Sequence, residues 1–363
     1  MKFLRYLLLP FALLYGLVLR FRHWCFRVGV FRSTGNFGVP VICVGNLNLG
    51  GTGKTPFVEF LIRRLSTQYA IGVVSRGYGR KTKGFLLATI DSTAEQIGDE
   101  PLQLFQKFQQ IIQLVVCEDR VVGINRIIEE FPHLDLIILD DAFQHRKVRA
   151  DVNVLLSPYD QPFYNDFLLP AGNLRDVKSS ANRAGMLVFT KSPVEIPEGH
   201  REVAKRLLPE KLRHQFYYST IRYGSFLRPF TGERLKECPR ELVLVTGIAR
   251  PEYIIRYLES LQSEYKERIN LRVLSFPDHH NYTSADLDKI AKIFDTFAAT
   301  EKAILTTEKD WVKLAPMVAG TAYRQDWLLL PISFELANEE LFLQQLKNKL
   351  TGFPATANNE YLR

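Results

Sequence analysis

The sequence predicts an α/β fold: a mostly parallel sheet flanked by helices, followed by a second, smaller α/β domain and preceded by an N-terminal membrane-associated helix. Three observations carry that expectation. Short, continuously apolar runs alternate with longer helical segments, the rhythm of strand-helix-strand units. The rhythm is interrupted by an aromatic, alternating stretch at residues 214–232 and then resumes. Ahead of everything stands an apolar segment bracketed by cations.

Composition sets the outer bounds. With 363 residues, 46% of them hydrophobic and 24% charged, the chain can bury two cores without disulfides. Cys25, Cys43, Cys117 and Cys238 contain no C-x-x-C pair, which argues against a disulfide framework or a zinc site and for a reducing compartment. The net charge of +8 attracts an anionic partner without choosing among nucleic acid, acidic lipid and phosphorylated substrates.

The N-terminus narrows that choice. Its uncharged run, Tyr6 to Leu19, is flanked by Lys2 and Arg5 before and by Arg20, Arg22 and Arg27 after. It is shorter than the ~20 apolar residues that cross a bilayer. "RFRHWCFR" follows it instead of a small-residue cleavage site. Residues 1–30 therefore read as a helix in the interface of an anionic membrane, with Phe21, Trp24 and Phe26 near headgroup level. A buried core helix is the competing reading, and basic residues on both flanks argue against it.

Residues 31–213 form the first expected domain. "VPVICVG", "AIGVVSRG", "IIQLVVC", "LDLIILDD", "VNVLLSP" and "GMLVFTKS" read as buried strands, with helices such as "PFVEFLIRRLSTQ" and "DEPLQLFQKF" between them. Residues 214–232 read as extended linker strands. Residues 233–350 repeat the rhythm through "RELVLVTGIA", "NLRVLSF", "KAILTTEKD" and "WLLLPISF", and residues 351–363 read as a loose tail.

"NLNLGGTGKTP" gives the chemistry. A phosphate-binding loop, G-x-x-x-x-G-K-[ST], lies between a strand and a helix so that backbone N–H groups surround the phosphates. Gly53, Lys54 and Thr55 match it, and Asn48 replaces the first glycine. Asn48, Leu49, Gly50, Gly51, Thr52, Gly53, Lys54 and Thr55 are thus the expected nucleotide cradle, with Lys54 on the β- and γ-phosphates and the Thr55 hydroxyl on Mg²⁺. Asp140 and Asp141 end the strand of "LDLIILDD", where carboxylates hold Mg²⁺ directly or through water in P-loop proteins. The fold is thus P-loop NTPase-like.

Within that class, a GTPase would carry an N-K-x-D base-reading motif, and "TTEKD" and "FTKSP" both fail its spacing. A membrane-associated partition-type ATPase, a nucleotide-dependent switch, would share "GGTGKT" but has a leading Lys where this chain has Leu49.

"VGNLNLGGTGKTP", "SRGYGR", "GDEP", "LDDAFQHR", "LLPAGNLRD", "TGIARPE", "FPDHHNY" and "TTEKDWVKL" occur in the order and approximate spacing of the tetraacyldisaccharide 4'-kinases of lipid A synthesis, which the chain resembles from its N-terminal helix to about Leu314. That family's loop also tends to lack the first glycine. The resemblance implies ATP-dependent phosphorylation of the 4'-hydroxyl of a tetraacylated glucosamine disaccharide 1-phosphate, with Mg²⁺, a membrane surface and no nucleic acid as partner. The implied location is the cytoplasmic face of the inner membrane, peripheral or monotopic. It assigns Asp99 as base, assisted by His279.

The residues themselves leave alternatives open. Asp99, Glu100 and Pro101 also make a good helix start, and Glu100 joins either the metal site or the cap. Arg175 is the candidate for a second positive charge on a phosphate, since guanidinium pairs with phosphate bidentately. Arg76, Tyr78 and Arg80 follow a strand end and face either substrate or solvent; Gln144 and His145 lie close to the metal strand. "TTEKD" has no assigned role beyond a helix start.

Overall fold

The structure, a computed structural model, describes residues 5, 7–235, 237–265, 269–298 and 301–350, so the expected tail at 351–363 lies outside the described residues. In chain order the first part comprises α1 (Leu9–Arg27), β1 (Val41–Asn46), α2 (Lys54–Leu65), β2 (Ile71–Ser75), β3 (Leu86–Leu87), α3 (Ala94–Ile97), α4 (Asp99–Phe108) and β4 (Ile112–Val116). It continues with α5 (Arg120–Glu130), β5 (Leu136–Leu139), β6 (Val152–Pro158), β7 (Met186–Thr190), α6 (Glu198–Leu207) and β8 (Phe216–Tyr223).

These strands, with β15 (Ile332–Leu336), make a sheet ordered β15-β8-β7-β6-β1-β5-β2-β4-β3. From β8 to β4 every neighbour is parallel, and the two edge strands run antiparallel. β1, β2, β5 and β7 are buried throughout, which is why their sequences are unbroken apolar runs. The chain leaves β1 toward β2 on one side and later places β6 on the other. That reversal opens a crevice at the carboxyl ends of β1 and β5, where open α/β sheets bind ligands.

A second sheet, ordered β10-β9-β14-β13-β11-β12, uses β9 (Phe226–Leu227), β10 (Arg234–Leu235), β11 (Glu241–Thr246), β12 (Asn270–Ser275), β13 (Lys302–Thr307) and β14 (Trp327–Leu330). β12, β11, β13 and β14 are parallel. Helices α7 (Glu252–Tyr265), α8 (Ser284–Asp295) and α9 (Glu308–Val318) connect them.

Two expectations of domain organisation change. The stretch 214–232 is more than a linker: β8 is an integral strand of the large sheet, parallel to β7. "WLLLPISF" is two strands in different sheets, because Pro331 interrupts the ladder and lets the chain cross from β14 to β15. The last helix, α10 (Glu339–Leu350), buries Phe342, Leu346 and Leu350 in the core of the large sheet. Residues 233–350 are therefore not one self-contained unit; the chain returns to its first sheet to finish that core.

α9 joins the two sheets. Its Val312 lies in the large sheet's core, while Leu314 and Val318 lie in that of the second sheet. Asp310 anchors it: Gly247 N and Thr307 Oγ1 donate to Oδ2 at 3.1 and 2.7 Å. This is the structural work of "TTEKD".

Candidate active site

Asn46, the last residue of β1, organises the loop that follows. Its buried Nδ2 donates to Asn48 O at 2.7 Å and Thr52 Oγ1 at 2.8 Å, while Thr190 Oγ1 donates to Thr52 O at 2.8 Å. Leu49 N donates to Asn173 O at 2.7 Å, which ties the loop to "LLPAGNLRD". Gly53 stands at φ 79°, a conformation that favours glycine, immediately before α2. The loop is therefore preshaped by side chains, and Asn48 fits it because its backbone is a hydrogen-bond partner.

Lys54 opens α2 with Nζ 3.7 Å from Asp141 Oδ2. Arg175 grips the same carboxylate with both terminal nitrogens and also donates to Asn46 Oδ1. Burial would raise the Asp141 carboxyl, but Lys54 and then Arg175 hold it at about 2. The two cations expected on phosphates thus converge on one carboxylate at the mouth of the loop.

Asp140 behaves oppositely. It is 2% exposed, takes one hydrogen bond from Ser75 Oγ at 3.0 Å, and its Oδ1 has no partner. Burial, then Glu100 and Asp141, push its carboxyl up to about 7. An orphaned carboxylate oxygen amid like charge is a place for a cation. Thr55 Oγ1, 3.3 Å from Glu100 Oε2, adds neutral oxygen beside it. Among the described residues, no three His, Cys, Asp or Glu side chains could hold a metal by themselves. That fits Mg²⁺, which is usually held by one or two carboxylates plus substrate phosphates.

Gly98 places the next group. It joins α3 to α4 at φ 93°, ψ 155°, and a Cβ there would stand 2.9 Å from Tyr78 O. The turn delivers Asp99 and Glu100 as the first residues of α4, with Glu100 N donating to Asp99 Oδ1 at 2.9 Å. His279, which follows β12 and adopts φ 59°, sets Nδ1 at 3.1 and 2.9 Å from the two Asp99 oxygens. Lys313 Nζ lies 3.1 Å from Asp99 Oδ2. Burial opposes ionisation of Asp99, but the His279 hydrogen bond, Lys309 and Lys313 outweigh it and hold the carboxyl far below its ordinary value.

A cleft of about 410 Å³ joins these groups, lined among others by Arg22, Arg76, Tyr78, Asp99, Asp140 and Arg175. Tyr78 is exposed and its ring centroid is 5.1 Å from that of His279. Gln144 Nε2 donates to Asn46 O at 2.6 Å. His145 accepts from Arg120 N at 3.3 Å, and burial followed by Arg120 lowers it to about 4. Arg80 is a different case: its guanidinium is spent on Glu118 at 2.6 Å and on Gly84 O, so it braces the "SRGYGR" turn and does not face the cleft.

α1 packs along this site. Tyr15 OH donates to Arg175 O at 3.0 Å, Arg22 to Gln144 O at 3.0 Å, and His23 pairs with buried Asp176 at 3.1 Å. Its other side exposes Phe11, Leu13, Leu14, Leu17, Val18 and Phe21. Among the described residues no helix is long and apolar enough to cross a membrane.

Asn46, Lys309 and Lys313 are among the site residues that the sequence motifs leave unassigned, as are Ser75 and Arg120. The two lysines had one available signal, their i, i+4 spacing on a helix after "TTEKD".

Known proteins are similar to this chain over nearly its whole length. The chain is 40% identical over 353 residues to a tetraacyldisaccharide 4'-kinase of Cytophaga hutchinsonii, covering 96% of this chain and 95% of the relative. It is 41% identical over 319 residues to that of Flavobacterium johnsoniae, covering 86% and 88%. The crystal structure of LpxK from Aquifex aeolicus, described as an "apo" form in complex with ATP, superposes with a TM-score of 0.72 at 30% identity, over 96% of this chain and 99% of that one. Residues 4–351 match the family description LpxK, tetraacyldisaccharide-1-P 4'-kinase, and the chain belongs to that family.

Proposed function

We infer that this protein transfers the γ-phosphoryl group of ATP to the 4'-hydroxyl of a tetraacylated glucosamine disaccharide 1-phosphate in lipid A biosynthesis. The observation that carries the reading is a paired Asp99 and His279 mounted beside a preshaped phosphate loop, each delivered by a different sheet.

Residues Asn48 to Thr55 cradle the phosphates, and the N-terminus of α2 directs its N–H groups at them. When ATP enters, its phosphates compete with Asp141 for Lys54 and Arg175, cations already gathered at the loop's mouth. Asp140, Thr55 and Glu100 would hold Mg²⁺, with Asp141 beside them, and the ion would neutralise charge on the β- and γ-phosphates. Asp140 is the favoured direct ligand, because Asp141 is occupied by Lys54 and Arg175.

Asp99 accepts the hydroxyl proton as the new oxygen–phosphorus bond forms. Its depressed pKa makes it a weak base at rest. A loose transition state tolerates that, since the hydroxyl acidifies only as it bonds to phosphorus. Positioning therefore matters more than basicity, and His279 supplies it.

The membrane reading follows from the substrate. Acyl chains resist leaving a bilayer by ~0.8 kcal/mol per CH₂, so the enzyme must work at the surface. α1 offers a docked face and an apolar outer face, and its Arg22 lines the cleft. We place the protein at the cytoplasmic face of the inner membrane as a monotopic enzyme.

The deciding assay combines purified protein, ATP, Mg²⁺ and the acylated disaccharide, and expects a 4'-phosphorylated lipid. Brisk ATP hydrolysis with no lipid product would instead support a partition-type switch.

A further inference from the structure

α9 carries two lysines one turn apart into the reaction centre, and the motif they belong to has so far explained only the helix's anchorage. Lys313 Nζ meets Asp99 Oδ2 at 3.1 Å. Lys309 Nζ meets Glu100 Oε1 at 3.1 Å, Asp278 Oδ1 at 3.0 Å and His279 Nε2 at 3.3 Å. Their side chains are only 10% and 17% exposed. Holding two long cations in one geometry costs side-chain entropy and desolvation, so the arrangement must return something for it.

Hydrogen-bond chemistry says what Lys309 does to the imidazole. An ammonium has donors and no acceptor. His279 Nε2 must therefore accept from Lys309, which leaves the proton of the neutral ring on Nδ1, the nitrogen facing both oxygens of Asp99. The reversed tautomer would set an N–H against the ammonium and a lone pair against the carboxylate. With Nε2 capped, the ring is an orienting donor and the free acceptor capacity of the pair lies on Asp99.

The mechanical side agrees. His279 sits on a loop at positive φ, a conformation that a non-glycine residue holds only when its surroundings impose it. Lys309 bridges that loop, through Asp278 and His279, to Glu100 on α4. Lys313 fastens the same helix to Asp99 one residue earlier. Lys107 of α4 repeats the pattern farther along, reaching Glu308 of α9 at 2.8 Å and Glu59 of α2 at 2.9 Å.

We propose that Lys309 and Lys313 are positioning residues for phosphoryl transfer: Lys309 fixes the orientation and tautomer of His279, Lys313 fixes Asp99, and together they lock the second sheet's loop onto the P-loop half. This rests on Asp99 being the base. In the transfer, the sugar O–H proton passes to the Asp99 carboxylate, the new O–P bond forms, and the bond from γ-phosphorus to the bridging oxygen of ATP breaks, releasing ADP.

The test is a double-mutant cycle on the full-length protein with ATP, Mg²⁺ and the acylated disaccharide. Lys309→Met should lower kcat about 30-fold with KM for ATP within about 3-fold, the scale of a positional loss. In a His279→Ala background the same change should cost less than about 2-fold, because Lys309 acts through that ring. Effects that multiply independently, or a kcat for Lys309→Met within 2-fold of wild type, overturn the proposal. Should Lys309→Met melt well below the wild type, Lys309→Gln enters the same cycle: its amide offers Nε2 an acceptor as well as a donor and so no longer fixes the tautomer. A fall in kcat that vanishes in the His279→Ala background is then expected, and multiplicative effects or a kcat within 2-fold of wild type overturn the proposal. A wild-type kcat for His279→Ala alone refutes the Asp99–His279 reading itself, and with it this one. A slow His279→Ala with multiplicative effects refutes only the lysine role.

Discussion

His279 Nδ1 lies 2.9 Å from Asp99 Oδ2 across 180 residues of sequence, joining the carboxyl end of a strand in one sheet to the first turn of a helix on the other. Replacing either residue by alanine should lower kcat by about 10²-fold or more while ATP affinity changes little, the pattern of an interaction made in the transition state. Steady-state kinetics beside a direct nucleotide-binding measurement checks it. Full turnover in either variant would remove that residue from the chemistry.

Gly98→Ala should damage both fold and activity. The residue's φ of 93° is a conformation that favours glycine, and the added Cβ would meet Tyr78 O at 2.9 Å. A stability loss of about 1–3 kcal/mol in urea unfolding is expected, with kcat falling more than KM as Asp99 shifts.

Asn46→Ala should loosen the nucleotide cradle. It leaves Asn48 O and Thr52 Oγ1 without their buried donor and frees one hold on Arg175. About 1–3 kcal/mol of stability should be lost. ATP affinity, read by calorimetry, should weaken by about 10-fold, whereas an unchanged affinity would mean the loop is shaped without it.

His145 gives a pH dependence with a defined sign. Its folded pKa of about 4 lies below the model-compound value of 6.5, so between those values the unfolded chain binds more protons than the folded one. Stability therefore falls as pH is lowered from about 6.5 to about 4, by up to ~1.4 kcal/mol per unit from this group. Urea unfolding at several pH values should show a shallower slope for His145→Gln than for wild type. Parallel slopes would mean the ring titrates normally.

Leu13→Glu with Leu17→Glu should release the protein from vesicles of anionic phospholipid, because both side chains are more than half exposed on the outer face of α1. The fold should persist, since Tyr15, Arg22 and His23, which dock that helix, are untouched. Retained vesicle binding would assign membrane attachment to another surface.

Part of this molecule is written locally. A strand buried on both faces must be apolar without interruption, so β1, β2, β4, β5, β6 and β7 fall within a few residues of runs visible by eye. The phosphate loop is equally legible, because cradling phosphates demands glycine and lysine at fixed spacing, and the Asp pair marks the neighbouring strand's end. Even Asp99 could be read from its motif, though only as one of two options, cap or base. The structure sets it as the first residue of α4 and in a pair with His279, the geometry on which its proposed role as base rests.

What remained closed to the sequence is which distant faces meet. Nothing local says that "PISF" leaves its neighbour "WLLL" to complete the first sheet; that depends on a free edge beside β8 and a core that still needs Phe342 and Leu346. Nor does spacing reveal that Lys313 reaches Asp99 over 214 residues or that Arg80 is spent on its own turn. Sequence by itself made most of the elements, the phosphate loop and the acidic pair at the end of β5 legible, because periodicity and phosphate geometry act within a few residues. Tertiary structure alone decided how α9 carries its lysines to His279 and Asp99, because that contact is set by the packing of two sheets and not by any neighbour in the chain.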